Sequence, residues 1–251
     1  MRRLGVNIDH VATIRNARGS FHPDPLSIAK HVMEYGAHSV TIHLREDRRH
    51  VNDLDVLKIC KNKRIITNLE ISLNEDILKI ALKNKPNFIC IVPEKRKEIT
   101  TEGGLDLSKN LNKIKNIITK FKKKKIKKSS NKFKKKKIRT SLFIDPNLKD
   151  IKIAKKLNVD CIELHTGKIS DLVKNKKNYI REYEKIKNCC KLAKEIGIEI
   201  HAGHGLDYKT TAILSKIKEI EEFNIGHFIV GESIVHGLKN TIKKFKKISN
   251  T

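Results

Sequence analysis

Eight short apolar segments alternate with eight longer segments of helical spacing along this 251-residue sequence, and this alternation restricts the fold more than any other feature. The short β-branched runs are typical of buried strands, and the longer ones place apolar residues three and four apart. We predict strands at Leu4 to Ile8, Ser39 to Ile42, Ile65 to Leu69, Phe88 to Val92, Ser141 to Ile144, Cys161 to Leu164, Glu199 to Ala202 and Phe228 to Val230. We predict helices at Pro25 to Tyr35, Val51 to Lys61, Asn74 to Lys85, Leu107 to Phe121, Asn147 to Leu157, Asn178 to Ile196, Tyr208 to Ile217 and Ser233 to Ile248.

Eight strand-then-helix units in about 250 residues predict an α/β fold, a single-domain (β/α)8 TIM barrel over residues 1–251. A doubly wound open sheet is the alternative. The position of the polar residues favours the barrel, because nearly every strand runs into groups that take part in chemistry, and a barrel gathers all its strand ends on one face. These groups include Asp9-His10, His43-Leu44-Arg45, Glu70, Glu94, Asp145, Glu163 to His165, Gly203 to Gly205, and Gly226-His227.

The stretch His43 to His50 (HLREDRRH) concentrates this chemistry at the end of the second strand. Imidazoles transfer protons near neutral pH and guanidinium groups bind phosphate, so we expect His43, Arg45 and His50 to act on substrate. The other charged residues, Glu46 to Arg49, are expected to form an ion-paired framework around them.

Glycines near the last two strands predict a phosphate site. Gly203-His204-Gly205 and the stretch from Gly226 to Gly231 lie where barrels commonly bind phosphate through backbone amides and helix N-termini. Arg15, Arg18 and Arg45 form a second cationic locus. Two such loci favour a bisphosphate or two phosphorylated substrates.

Carboxylates at two strand ends are candidate general bases. Glu70 and Glu163 each follow apolar residues, and partial burial raises the pKa of a carboxyl toward neutrality. The alternative for each is a structural ion pair with arginine. We expect no metal, because no close ligand spacing occurs and the arginines oppose a cation, and Thr100 to Gly104 fits a mobile lid over the site.

The net charge of +27 raises nucleic acid as a partner, but its distribution disfavours it. Eleven lysines lie in residues 122–137, and +16 remains without them. We therefore expect a flexible Lys-rich insertion between strands four and five that can be deleted without loss of activity, and neither nucleic-acid nor membrane binding. The cysteine spacing predicts free buried thiols, and the lack of a signal segment or membrane span predicts a soluble cytoplasmic protein.

Eight runs of the sequence closely resemble the PdxJ family of vitamin B6 biosynthesis, the pyridoxine 5′-phosphate synthases. They extend in one order over nearly the full length, and several are long and distinctive. The runs are GVNIDHVATIRNARG (5–19), HLREDRRH (43–50), NLE (68–70), VPEKRKEITTEGGLD (92–106), SLFID (141–145), IELHTG (162–167), AGHGL (202–206) and NIGH (224–227).

The resemblance implies a barrel that condenses 1-deoxy-D-xylulose 5-phosphate with 3-amino-2-oxopropyl phosphate, without a cofactor, in an assembly that is usually a homo-octamer. It implies His43 and Glu70 as proton acceptors, His204 as proton donor and Glu163 as the residue that assists the transition state. The implied aminoketone phosphate site comprises Asn7, Arg18, Gly205, Gly226 and His227. The implied deoxyxylulose phosphate site comprises Asp9, His10, Arg45, His50 and Thr100.

Two departures from the family pattern bear on this site. Glu232 places an acid near the strand-eight phosphate region, where it would weaken phosphate binding if it pointed inward, and His201 replaces a residue that is often Asn. The remaining alternatives are a barrel isomerase or epimerase acting on one phosphosugar, and a basic RNA-binding protein.

Overall fold

In a computed structural model, which describes residues 1–94, 103–123 and 137–251, eight parallel strands close into one barrel. Each strand pairs with its neighbours in the sequence, and β8 pairs with β1 to complete the ring. This confirms the predicted (β/α)8 barrel. The strands are β1 Arg3–Asn7, β2 Ser39–His43, β3 Thr67–Ile71, β4 Phe88–Ile91, β5 Arg139–Ile144, β6 Cys161–His165, β7 Glu199–Gly203 and β8 Glu222–Ile225.

Eleven helices are present within the described ranges. Two helices instead of one follow the first, sixth and eighth strands. The helices are α1 Asp9–Arg18, α2 Pro25–Glu34, α3 Asp53–Lys61, α4 Glu75–Asn84, α5 Leu107–Lys123, α6 Leu148–Lys156, α7 Gly167–Lys174, α8 Ile180–Glu195, α9 Tyr208–Leu214, α10 His227–His236 and α11 Leu238–Ser249. Side-chain caps begin several of them. Asn52 caps α3 in a capping box with Asp55, and Asp24 caps α2 just before Pro25.

The main apolar core lies between the sheet and the helices, while much of the barrel interior is polar. Along β8, Phe223 and Ile225 join the main core, whereas Glu222 and Asn224 alternate with them and are buried on the other face. A separate small apolar cluster, Cys90, Val92 and Phe143, fills part of the interior. Barrel interiors are more often packed with large branched residues, so this interior is unusual in its polarity.

An ion network occupies the N-terminal end of the barrel. Arg3 on β1 donates to Glu222 on β8 at 2.7 Å and to Glu199 on β7. Arg139 on β5 donates to the second oxygen of Glu199 at 2.7 Å, and the ring of His201 is 2.8 Å from the first. His201 is only 2% exposed and belongs to this N-terminal network, away from the carboxyl ends of the strands. It therefore belongs to the structure of the barrel, as its place within a strand indicated.

The prediction of strand eight at Phe228 to Val230 was wrong. The strand is Glu222–Ile225, and Phe228 to Val230 lie within α10. Phe228 packs edge to face against Tyr208 and Phe245, at centroid distances of 5.0 and 5.9 Å. The predicted helix Ser233 to Ile248 is likewise two helices, which meet at Gly237 with φ of 75°.

Three further expectations concern the chain outside the barrel wall. All five cysteines are free, four of them buried and Cys60 partly so, as predicted. Most of the Lys-rich tract lies outside the described residues, which include only its first two residues and its last. In the described ranges, no helix combines the length and apolar character needed to cross a membrane.

Candidate active site

A cavity of about 410 Å³ opens at the carboxyl ends of the strands, the face on which barrel enzymes act. It gathers twelve of the fourteen site residues predicted from the sequence. Its lining residues are Asn7, Asp9, His10, His43, Arg45, His50, Glu70, Val92, Phe143, Glu163, His204, Gly205, Asn224, Gly226 and His227.

His43 lies between two carboxylates. Its Nδ1 is 3.7 Å from Oε2 of Glu70 on the neighbouring strand, and its Nε2 is 3.7 Å from Oε2 of Glu94, which follows β4. The backbone N–H of His43 donates to Asp9 at 2.8 Å, which fixes the end of β2 against the start of α1. Both separations exceed hydrogen-bond distance, so a proton can pass between His43 and either carboxylate only through a bridging water or after a small movement of the side chains.

Both carboxylate oxygens of Asp9 accept hydrogen bonds at the mouth of the barrel. Asn7 donates through its side chain to Asp9 at 2.9 Å and accepts from the Asp9 backbone N–H at 2.9 Å. Burial raises the pKa of Asp9, while the nearby His43 opposes that rise. Asp9 therefore orients Asn7 and His43 at the mouth of the barrel.

Glu163 is buried, Glu70 is largely buried, and both have a raised pKa. Burial, reinforced by the negative charges of Glu163 and Asp9, raises the pKa of Glu70 well above its ordinary value. Burial also raises the pKa of Glu163 to about 7, against the lowering effects of His201 and of a hydrogen bond from Asn224. A carboxyl that titrates near neutrality suits a general base or acid.

Three histidines form a cluster at the opening beside α1 and α10. The ring of His10 lies 4.8 Å from that of His227 and 5.7 Å from that of His50, centroid to centroid. Burial and the neighbouring His227 lower the pKa of His10, and burial together with His10 lowers the pKa of His50 to about 4. His10 and His50 are thus less protonated at neutral pH than ordinary histidines, and a bound phosphate would favour their protonation.

His204 lies on the opposite side of the cavity, backed by a second histidine. Its ring is 4.9 Å from that of His165, whose Nδ1 is 3.1 Å from Oδ1 of Asp145. Burial and the neighbouring His165 lower the pKa of His204 to about 4. At neutral pH His204 is therefore a neutral imidazole that can donate its N–H or accept a proton.

Glycines bring backbone close to the cavity at two points. Gly226 precedes α10, and a Cβ there would lie 2.9 Å from Cβ of Asn7. Gly205 has φ of 75°, and a Cβ there would lie 3.2 Å from Cα of Gly167. No side chain of a described residue caps the backbone N–H groups at the start of α10, and a helix N-terminus of this kind favours a phosphate.

The charged framework around His43 forms much as predicted. Arg49 pairs with Asp47 at 2.6 Å, and Arg48 pairs with Asp53 at 2.7 Å, outside the predicted stretch. Ser72 donates to Glu46 at 3.2 Å. The second cationic locus differs from the prediction: Arg15 is committed to a bidentate pair with Asp55 at 2.7 and 2.8 Å, so assigning Arg15 to phosphate was wrong.

Two predicted site residues are not among the described residues that line the cavity. Arg18 ends α1 at an exposed position, and Thr100 lies outside the described residues together with most of the predicted lid. Glu232 does not line the cavity either. Its Oε2 is 3.7 Å from Nε2 of His236 one turn along α10, so its carboxylate does not point inward toward the predicted phosphate site.

Two residues that contact the predicted ones were not assigned to the site from the sequence, although Glu94 was named among the polar groups at strand ends. Glu94 is 96% buried at the side chain, lies 3.5 Å from Nε of Arg45 and accepts from the backbone N–H of Glu46 at 2.9 Å. Although burial raises the pKa of Glu94, the neighbouring His43 and the Glu46 N–H hold it below its ordinary value. Asn224 donates to Glu163 at 2.7 Å. The signal for both was position, since Glu94 follows β4 and Asn224 lies within β8, each beside a predicted site residue.

The one group of side chains that could bind a metal ion among the described residues already has other partners. Donor atoms of Asp9, His43 and Glu70 come within 4.8 Å of one another. Both Asp9 oxygens already accept hydrogen bonds from Asn7 and the His43 backbone, and Arg45 lies close by. We assign no metal ligands among the described residues.

This fold and site define a (β/α)8-barrel enzyme that combines acid–base groups with anion-binding elements. The sequence profile of the family described as "Pyridoxal phosphate biosynthesis protein PdxJ" matches residues 4–251. The chain is 72% identical over 250 residues to the pyridoxine 5′-phosphate synthase of Pelagibacter ubique, covering 100% of both chains. It is 46% identical to that of Zymomonas mobilis over 97% of this chain and 90% of the relative. The chain therefore belongs to the PdxJ family.

Solved structures of more distant proteins share the barrel. The Amycolatopsis orientalis BexX/CysO complex matches 99% of this chain and 88% of its own, with a TM-score of 0.66 at 10% identity. Phosphoribosylanthranilate isomerase of Thermotoga maritima matches 99% and 98%, with a TM-score of 0.56 at 13% identity. At these identities the likeness concerns the fold alone.

Proposed function

We propose that this protein is a pyridoxine 5′-phosphate synthase, which condenses 1-deoxy-D-xylulose 5-phosphate with 3-amino-2-oxopropyl phosphate to pyridoxine 5′-phosphate, phosphate and water. The observation that carries the proposal is the cluster of His43, Glu70, Glu163 and His204 in one cavity of a PdxJ-family chain. Relatives up to 72% identical over the full length bear that enzyme name.

The acid–base groups in the cavity support this reaction. Imine formation, enolisation and dehydration each move protons and need neither a redox cofactor nor a metal. We assign proton acceptance to Glu70 and to His43, whose side-chain atoms Oε2 and Nδ1 lie 3.7 Å apart. His204, across the cavity, is assigned as the proton donor to a leaving hydroxyl or phosphate. Because its pKa of about 4 leaves the imidazole neutral at rest, it first accepts a proton that the substrate releases in an earlier step.

Glu163 is assigned to stabilise positive charge that develops during ring closure. It is enclosed in the barrel interior, where a carboxylate acts on nearby charge more strongly than it would in water. Its pKa near 7 leaves a substantial ionised fraction at neutral pH.

Two substrate phosphates require two anion sites. The first consists of Gly205 just after β7, of Gly226 and His227 at the start of α10, and of Asn7, and we assign it to the aminoketone phosphate. The second consists of Asp9, His10, Arg45 and His50, and we assign it to deoxyxylulose phosphate. Arg18 and Thr100 remain proposed members of these sites.

Incubation of the purified protein with each substrate alone and with both tests the function. Phosphate release and pyridoxine 5′-phosphate formation that need both compounds are the expected result. Turnover of one phosphosugar alone would instead indicate an isomerase or epimerase. Salt-sensitive RNA binding without turnover would indicate the RNA-binding alternative.

We further propose a cytoplasmic, single-domain enzyme that does not bind nucleic acid and assembles as a homo-octamer. Exposed apolar residues on α1 and α10 support self-association: Ile14 is 47% exposed, Ile234 is 78% exposed and Val235 is 75% exposed. Light scattering coupled to size-exclusion chromatography measures the assembly. A monomer at micromolar concentration would contradict it.

A further inference from the structure

A line of polar side chains crosses the barrel interior and ends on Glu163. Asn68 on β3 donates through Nδ2 to Oγ1 of Thr41 on β2 at 3.3 Å, and Thr41 donates to Oδ1 of Asn224 on β8 at 3.3 Å. Asn224 then donates through Nδ2 to Oε2 of Glu163 on β6 at 2.7 Å. All four residues are at most 5% exposed.

Hydrogen-bonding capacity gives this line a direction. An ionised carboxylate only accepts, so the amide of Asn224 must turn its NH₂ group toward Glu163. Its carbonyl oxygen then faces Thr41, which must donate to it. The Thr41 oxygen is left to accept from the NH₂ group of Asn68. Each link therefore matches the ionised form of Glu163.

We propose that Asn224 and Thr41 are positioning residues that hold the carboxylate of Glu163 in place and favour its ionised form. This role rests on the proposed function, because it requires Glu163 to act on the reacting atoms. Asn224 also lines the cavity, whereas Thr41 and Asn68 lie behind it. Thr41 can therefore affect the reaction only through its neighbours.

Two glycines leave the space that this arrangement needs. A Cβ on Gly5 of β1 would lie 1.9 Å from Oδ1 of Asn224. A Cβ on Gly203 of β7 would lie 2.0 Å from Oε1 of Glu163. Both distances are far inside van der Waals contact, so any other residue at either position would displace the amide or the carboxylate.

The charges that face Glu163 oppose one another. His201 on β7 favours its ionised form, while Glu222 on β8 and Glu70 on β3 disfavour it, and the buried thiol of Cys90 on β4 lies nearby. Burial adds the largest cost to ionisation and raises the pKa of Glu163. Among the described residues, Asn224 donates a hydrogen bond of 2.7 Å directly to this carboxylate.

Two substitutions of similar shape remove the links, and a third serves as their control. Asn224→Leu removes the donor, and Thr41→Val removes the hydroxyl that orients it. Thr211→Val makes the same change at a fully buried threonine on α9 whose hydroxyl has no hydrogen-bond partner among the described residues. Circular dichroism and thermal melting establish that each variant folds.

The readout is the titration of Glu163 itself, followed by NMR in protein labelled with ¹³C at the glutamate carboxyls and assigned by its loss in Glu163→Gln. We expect the pKa to rise by about one unit or more in Asn224→Leu and by roughly half a unit in Thr41→Val, with Thr211→Val unchanged. The acid limb of the pH–rate profile should move to higher pH by the same amounts.

An unchanged Glu163 titration in both folded variants would overturn the proposed role. A shifted titration with an unmoved acid limb would overturn its connection to catalysis. The titration needs no substrate, so it is independent of whether the wild type turns over both substrates. Failure of that turnover would count against the proposed function instead.

Discussion

His43 on β2 and Glu70 on β3 are register partners, and Nδ1 of the imidazole lies 3.7 Å from Oε2 of the carboxylate. Burial raises the pKa of Glu70, which favours retention of a proton on this carboxyl. Because the two residues lie on adjacent hydrogen-bonded strands, the distance between their side chains is set by the sheet and not by a loop.

Glu70→Gln should lower turnover by about 10²-fold or more, because it removes a proton acceptor and leaves a side chain of the same shape. Steady-state assay of phosphate release with both substrates measures the effect. Glu75→Gln is the matched control, since Glu75 is an exposed residue in the first turn of α4. Equal activity of the two variants would remove Glu70 from the catalytic set.

Glu94→Gln should lower kcat about 10-fold and raise the KM for deoxyxylulose phosphate. The substitution removes the negative charge that faces both His43 at 3.7 Å and Arg45 at 3.5 Å, so both side chains lose a partner that holds them in place. Glu46→Gln, one residue after Arg45 and outside the cavity lining, serves as the comparison. Wild-type kinetics for Glu94→Gln would show that Glu94 does not position them.

Glu163→Gln should change how the free energy of unfolding depends on pH. Burial raises the pKa of Glu163 from 4.5 to about 7 in the folded state, so the folded protein holds this proton more tightly than the unfolded chain. Stability is therefore lost as pH rises from about 4.5 to about 7, and the glutamine variant lacks this loss. In urea unfolding, the free energy of unfolding of Glu163→Gln relative to the wild type should increase as the pH rises across this range. Glu75→Gln should show the same pH dependence as the wild type.

Glu222→Gln should lower the free energy of unfolding by about 2 kcal/mol, because the buried carboxylate accepts from Arg3 at 2.7 Å and from Ser39 at 3.1 Å. Glu221→Gln is the control one residue away, where the side chain is 53% exposed and 4.0 Å from Arg3. That variant should change stability by less than about 0.5 kcal/mol. Denaturant midpoints measure both, and equal losses would contradict a buried network.

Sequence reasoning found the barrel and most of the cavity because both depend on periodic features. Strand ends in a parallel barrel share one face, so polar residues such as Asp9, His43 and Glu70 could be placed together without knowing any distance. Glu70 itself lies within β3 and not just beyond it, a shift of two residues that leaves this placement intact.

Strand eight was missed because its interior face is polar. Glu222 and Asn224 alternate with Phe223 and Ile225, so Glu222–Ile225 lacks the apolar run by which strands were recognised. The more apolar Phe228 to Val230 belongs to α10. Short apolar runs do not distinguish a strand from a buried helix segment.

Pairing between distant residues was the second gap. The bidentate contact of Arg15 with Asp55 joins α1 to α3, and no spacing in the sequence reveals it. The same holds for the approach of Glu94 to His43 and for the hydrogen bond of Asn224 to Glu163. Such partners are chosen by tertiary geometry, which propensity and periodicity do not encode.

The missing side chains at Gly5 and Gly203 set a limit on how this barrel can be re-engineered. A methyl group at either position carries no charge and no reactivity, yet it would occupy the place of an oxygen of Asn224 or Glu163. Libraries that diversify the cavity while holding these two glycines constant should retain the chemistry. Libraries that vary either glycine should recover function only when the amide or the carboxylate is replaced at the same time.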